Sequence, residues 1–307
     1  MKRLLVIAFL LHLLGIVLTI FAGGFWTLYI STLFIGLANG TVEASCNPLV
    51  TTLYPESKAT KLNHFHLWFP GGIFIGTLIV LLFTKLNLNW QIQVGVMLIP
   101  TLIYGYLFSK LDFPVTERVS SGVSTAGMYK AVASPLFIFM FICMCGTAIT
   151  ELYTAQWVPV LLKNIGNPIL IVTATSGIMV IGRGLAKPVL QQFAPQTLLL
   201  MSTTIAAVGL YLLYSGTGNA FVDAIVFGIG VCFFWPTMLG FVNTNLPKTG
   251  ALGLNLMGGA GMFAVSIYTI YMGKHYDNLV AQNNGDTSFA GHQVLYITLF
   301  IRIVLIA

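Results

Sequence analysis

Two glutamates stand where carboxylates are costly. Glu43 lies within "GLANGTVEASCNPLV", near the middle of an apolar run from Trp26 to about Tyr54 that holds no other charge. Glu151 lies in "GTAITELYTAQWVPVLL". Each has polar neighbours at helical spacing. Asn39 and Asn47 stand four residues either side of Glu43, and Thr147 and Thr154 flank Glu151 at i−4 and i+3. Such residues share a helix face, so each carboxyl sits in a polar stripe that suits a water-filled cavity better than lipid. A carboxyl withdrawn from water can hold a proton near neutral pH, and it can hydrogen-bond a polar solute. Ionisable groups inside a membrane mark functional sites by default. The competing reading is a protonated structural glutamate bonded to a neighbouring helix.

Other candidates follow by position. His66 in "LNHFHLWFPGG" is a better functional histidine than His64, and His12 reads as a helix-packing residue. Trp68, Trp157 and Trp235 are deep enough in their runs to line a pocket, where C–H faces of a sugar stack well on indole rings. Asn255 is the only amide deep in "NLMGGAGMF", whose glycines and alanine form a surface for close helix packing. Arg183 in "IGRGLAKP" is either a cytoplasmic anchor or half of a gating salt bridge.

The elements that must position these residues are helices in a membrane. Of the 307 residues, 57% are hydrophobic and only 7% charged, too few charges to cover a soluble surface. The mean hydropathy of +0.90 agrees. About 20 apolar residues cross a bilayer, and the chain reads as an all-α, polytopic transmembrane helical bundle of about ten spans. These run near 4–24, 27–54, 65–84, 91–109, 132–161, 169–187, 197–215, 220–245, 250–273 and 290–307. The N-terminal apolar stretch is too long for a signal peptide and is read as a retained helix.

The net charge of +6 does not point to nucleic acid, because the basic residues are dispersed between spans. Lys2, Arg3, Lys58, Lys61, Lys110, Arg118, Lys130, Arg183, Lys187 and Lys248 fall on one side, and Lys85, Lys163 and Lys274 on the other. That asymmetry predicts a cytoplasmic N-terminus. Cys46, Cys143, Cys145 and Cys232 all fall in apolar runs and suggest neither a disulfide framework nor a zinc site. Phosphate-binding loops, Ser-His-Asp order, metal-ligand spacing and nucleotide-binding glycine loops are absent, so the chain does not read as an enzyme, and no cofactor is expected beyond protons as coupling ion.

"GLANGTVEASCNPLVTTLYPE" followed by "KLNHFHLWFPGGIFIG" resembles spans four and five of the major facilitator superfamily, and within it the fucose and glucose/galactose proton symporters. The matching motif is an acid followed by Ala-x-x-Asn-Pro: Glu43, Ala44, Asn47 and Pro48, then Leu62 and Asn63. "AITELYTAQWVP", "IGRGLAK" and "FFWPTMLGFVNTNLPKTGALGLNLMGGAGM" resemble the seventh span, the end of the eighth, and spans ten and eleven. Relatives in the subgroup carry Gln and Asn where this chain has His66 and Phe69.

The resemblance implies a twelve-span fold lacking its first two spans and with the last cut short. Residues 1–109 would complete the N-terminal half (spans 3–6), 110–131 the central cytoplasmic loop, and 132–307 the C-terminal half. It implies that spans one, four, seven and ten line a central cavity, with Glu43 as proton and sugar ligand and Asn47 beside it. The expected activity is proton-coupled uptake of a monosaccharide or similar small polar solute, in a bacterial inner membrane. The partners would be that solute and membrane lipid. Alternatives are an exporter of amphipathic compounds of the same superfamily, an inactive truncated fragment, and a proton-channel subunit. The last is disfavoured because no lysine lies in the core of a span.

Overall fold

The computed structural model describes residues 1–114, 123–161, 167–216 and 218–306. Arg118 and Lys163, counted above for orientation, and residues 115–122 of the central loop lie outside the described residues. The elements described are helical, as backbone buried in lipid requires: only intrasegment hydrogen bonding satisfies every N–H and C=O there. In chain order they are α1 (Lys2–Ile20), α2 (Phe25–Leu53), α3 (Lys58–His66), α4 (Trp68–Lys85), α5 (Trp90–Gly95), α6 (Leu98–Lys110), α7 (Thr125–Val132) and α8 (Pro135–Ala148). A π-helical turn (Ile149–Tyr153) then leads to α9 (Thr154–Leu161), α10 (Pro168–Gly184), α11 (Ala186–Gln192), α12 (Pro195–Ser215), α13 (Ala220–Val231), α14 (Phe234–Asn245), α15 (Gly250–Gln282) and α16 (Thr287–Ile306).

Among the described residues, eight helical stretches are long and apolar enough to cross a membrane, or nine if the bent pair α10–α11 is one span. The tenth expected segment, 290–307, corresponds to α16, which is not among them. Two boundaries move. The third stretch starts at Pro55 rather than 65, because α3 leads directly into α4, and the ninth continues to Gln282 rather than 273. Residues 125–131 of the expected central loop lie in the helix Thr125–Val132.

Local chemistry sets the helix starts. Asn89, Asn167 and Asn219 each accept a hydrogen bond from a backbone N–H one or two residues into the following helix turn, at Ile92, Ile169 and Phe221. Pro135, Pro168 and Pro195 occupy first helical positions, where a missing N–H costs nothing. Prolines also set the breaks. Leu67, Met97, Leu185 and Phe233 interrupt helical pairs, and each lies three residues before a proline (Pro70, Pro100, Pro188 and Pro236). A proline inside a helix removes one i→i−4 bond and crowds the preceding turn. The α10–α11 break bends the chain by 62°.

The chain divides into two compact units, residues 1–53 with 78–124, and residues 54–77 with 125–307. In the first, α1 packs on α2 and α6. Gly15 sits against Ile35 and the Ser31 carbonyl, and Thr19 donates to Ser31 Oγ at 2.9 Å. In the second, α12 and α13 approach so closely that a Cβ at Gly209 or Gly230 would strike the backbone of Phe227 or Ala206. Gly228 faces Thr175 and Ile178 of α10, and Gly240 faces Ala59 of α3. The stretch from Ala220 to Asn245 is the core of this unit, its residues 230–243 all being buried. The small-residue surface expected around Gly258–Gly261 does pack closely: Gly261 lies against the Trp235 ring and Ala148.

Candidate functional site

In the first unit, Glu43 is half-buried on α2 and accepts a hydrogen bond from the Asn47 side-chain amide at 3.4 Å. Asn47 is buried at 1% exposure, and α2 contains Pro48 and no basic residue. One turn before Glu43, exposed Asn39 bonds His12 instead, its Oδ1 lying 2.8 Å from Nε2. His12 Nδ1 is 2.5 Å from the Tyr104 hydroxyl. An amide oxygen only accepts, so Nε2 donates to Asn39 Oδ1. His12 is therefore a polar bridge joining α1, α2 and α6. The sequence reading as a packing residue missed this because the partners come from other helices.

In the second unit the centre is Arg183, 1% exposed at the end of α10. Its Nη2 donates to Glu151 Oε1 at 2.7 Å, a fully buried ion pair. Its Nη1 donates to the His66 carbonyl at 2.8 Å and its Nε to the Cys232 carbonyl at 2.7 Å. Pro70 and Pro236 stand four residues after His66 and Cys232, so neither carbonyl has an intrahelical N–H to accept from. The guanidinium fills both vacancies and balances a carboxylate. Its planar fork presents several donors in fixed directions, which an ammonium cannot reproduce. Gly182 brings α10 close: a Cβ there would lie 2.5 Å from Cys232 Sγ.

Glu151 sits on the π-helical turn, an irregularity that recurs at functional sites. Its Oε2 is buried and has no hydrogen bond of normal geometry, although the Trp235 backbone amide faces the carboxylate. Glu151 also lines a cavity of about 370 Å³, together with Phe69, Pro70, Leu152, Thr175 and Ser176. The sequence placed Glu151 in a polar stripe, and the structure adds a committed cation. Arg183 is thus neither a loop anchor nor at the surface.

The remaining candidates are dispersed. His66 enters the Arg183 cluster through its backbone, with its ring buried. Trp235 is buried against Gly261. Thr154 is fully buried and its hydroxyl lacks a hydrogen-bond partner among the described residues. Trp157 stacks on Tyr153 at 5.8 Å and meets Tyr276 edge-on, away from the cavity lining. Trp68 does not fit a buried pocket role: it is 70% exposed, while its neighbours Phe69 and Pro70 line the cavity. Asn255 is likewise exposed on α15 rather than enclosed. The signal that would have revealed Arg183's role is the pair of prolines, each four residues beyond an orphaned carbonyl.

Comparison with known proteins agrees with this architecture. The chain is similar to the crystal structure of FucP, a Major Facilitator Superfamily transporter in the outward conformation. The TM-score is 0.68 over 99% of this chain and 83% of that one, at 17% sequence identity, which speaks to the fold alone. A search of curated proteins returned no match. Residues 1–269 match the Major Facilitator Superfamily as a whole. With most of its length matched and its helices apolar enough to cross a bilayer, this multi-pass membrane protein belongs to the Major Facilitator Superfamily, a family of transporters rather than enzymes.

Proposed function

We propose that the protein takes up a monosaccharide or similar small polar solute together with protons, by alternating access. Alternating access exposes the solute site to one side of the membrane and then to the other. Glu43 carries the coupling proton, and protonation biases the equilibrium between the two access states. The observation that carries this reading is the half-buried Glu43 carboxyl, held by the Asn47 amide on a helix without a basic residue. The resemblance of the Glu43-Ala44-x-x-Asn47-Pro48 motif to sugar–proton symporters supports the solute class.

In this reading Asn39, Asn47, His66, Glu151, Thr154, Trp157 and Trp235 contribute to solute or proton handling, and Arg183 is half of a gating pair. The membrane is a bacterial inner membrane with the N-terminus in the cytoplasm, and no cofactor takes part beyond the proton. The test uses the protein reconstituted in vesicles, an imposed pH gradient and a panel of labelled monosaccharides. Wild type accumulates at least one sugar against its gradient, whereas Glu43→Gln loses accumulation but still exchanges solute at equal pH. Accumulation that survives Glu43→Gln removes the proton role. A panel in which no sugar moves removes the solute class.

A further inference from the structure

We propose that a groove between α8, α12 and α14 binds an anionic phospholipid, with one acyl chain in the groove and the phosphate at its mouth, drawn there by Lys130 and Lys248. The groove lies wholly in the second unit, and the proposal does not depend on the sugar–proton reading.

The groove has a volume of about 320 Å³. α14 packs against both α8 and α12 and supplies the floor, where Met238 and Phe241 are buried. The walls are open: Phe139 of α8 is 62% exposed and Leu200 of α12 is 52% exposed, both on stretches apolar enough to cross a bilayer. The two hydroxyls in the groove are engaged by their own helices. Thr147 donates to the Cys143 carbonyl at 3.0 Å, and Thr203 donates to the Leu199 carbonyl at 2.8 Å. The interior therefore offers hydrocarbon and no spare donor, which suits an acyl chain and penalises a polar ligand.

Depth selects a lipid of one leaflet. α8 lines the groove from Leu136 to Thr147, eleven residues apart, a rise of about 16 Å. That is half of the roughly 30 Å hydrocarbon core. The mouth lies where α8 and α12 begin and α14 ends, beside the exposed Gln196.

Charge selects the headgroup. Lys130 stands five residues before Pro135, the first residue of α8, and Lys248 stands seven residues past Phe241. Their elements meet, since α7 packs on the turn Pro247–Thr249 that carries Lys248. Both lysines are exposed, and Lys187 lies at the same end, just before the α11–α12 turn. Among the described residues of this unit, the acids at that end are exposed Glu56 and buried Glu151, which Arg183 already balances. Asp223, Asp277 and Asp286 stand at the opposite helix ends. Basic residues flanking membrane helices attract anionic headgroups. Lysines alone would draw any anionic lipid surface, whereas the groove fixes one molecule.

The test is photolabelling of the whole protein in phosphatidylcholine nanodiscs by phosphatidylglycerol with a diazirine in one acyl chain, followed by mapping of the adducts. The expected result is saturable labelling concentrated at Met140, Cys143 and Leu200. Unlabelled phosphatidylglycerol should compete at about a tenfold lower concentration than phosphatidylcholine, the worth of two surface lysines after screening by salt. Lys130→Gln/Lys248→Gln should abolish that preference while leaving labelling by the matching phosphatidylcholine probe unchanged. Cys143→Phe, which fills the groove, should remove the saturable component. Labelling spread evenly over all lipid-facing helices, equal competition by the two lipids, or a preference that survives the double lysine variant would each overturn the proposal. If Cys143→Phe does not fold, the competition on the unaltered protein decides. None of these readouts requires transport.

Discussion

Arg183 and Glu151, 32 residues apart in sequence, form a buried ion pair at 2.7 Å in which the cation also holds the two carbonyls freed by Pro70 and Pro236. One side chain thereby ties together the α3–α4 break, the π-helical turn, the end of α10 and the α13–α14 break. Each of these elements departs from a regular helix at the level of the guanidinium. Irregular backbone at membrane depth is tolerated where protein groups satisfy it, and here they do.

The two partners should be energetically coupled, so that removing both costs less than the two single losses added together. Glu151→Leu leaves an uncompensated buried cation, a loss of about 3–5 kcal/mol. In Glu151→Leu/Arg183→Met the charge is gone and only the carbonyls of His66 and Cys232 lose their donors, at about 1–3 kcal/mol for each orphaned group. The thermal midpoint in detergent should therefore fall less in the double variant than the two single losses sum to. Simple additivity would show that the two residues are not energetically coupled.

The prolines give a second test. Pro70→Ala and Pro236→Ala restore the N–H groups that His66 and Cys232 lack. In that background Arg183→Met should cost about 1 kcal/mol less per carbonyl than in the unaltered chain, since a backbone donor replaces the lost guanidinium bond. An Arg183→Met penalty of the same size in both backgrounds would mean that the carbonyls are not what the arginine serves.

His12 should behave as a bridge rather than as filler. His12→Phe keeps ring volume but removes partners from Asn39 and the half-buried Tyr104 hydroxyl. We predict a loss of about 1–3 kcal/mol for the hydroxyl left unsatisfied, read as a lower unfolding midpoint. Tyr104→Phe, which removes only one of the two contacts, should cost less. Equal midpoints for His12→Phe and the unaltered protein would show that the bridge contributes nothing.

Glycines on α13 and α15 predict opposite outcomes for the same substitution. At Gly230 an added Cβ would strike the backbone of Ala206, which cannot swing away. Gly230→Ala should destabilise by about 1–3 kcal/mol as an overpacked contact. At Gly259 nothing lies within 4 Å of the added atom. Gly259→Ala should be neutral or gain up to about 1 kcal/mol of helix propensity. Circular dichroism melts of both variants settle the comparison, and a destabilised Gly259→Ala would count against the helix contacts described.

The sequence by itself determined the class of protein and the position of its exceptional groups. Too few charges and repeated apolar runs leave a bundle of membrane helices, and a carboxylate inside such a run is conspicuous because its desolvation is costly. Glu43, Glu151 and Arg183 were legible for that reason, and so was the Glu43–Asn47 spacing, which a single helix fixes. The helix breaks were legible in principle too, because proline acts on its own chain within one turn. Tertiary structure alone decided partner choice. Glu151 meets Arg183, and His12 meets Asn39 and Tyr104, because small residues such as Gly182, Gly228 and Gly15 let particular helix faces approach. It also decided that Trp68 and Asn255 stay exposed while Phe69 lines a cavity. Helical period and composition act along one segment, whereas these outcomes depend on which segments pack together.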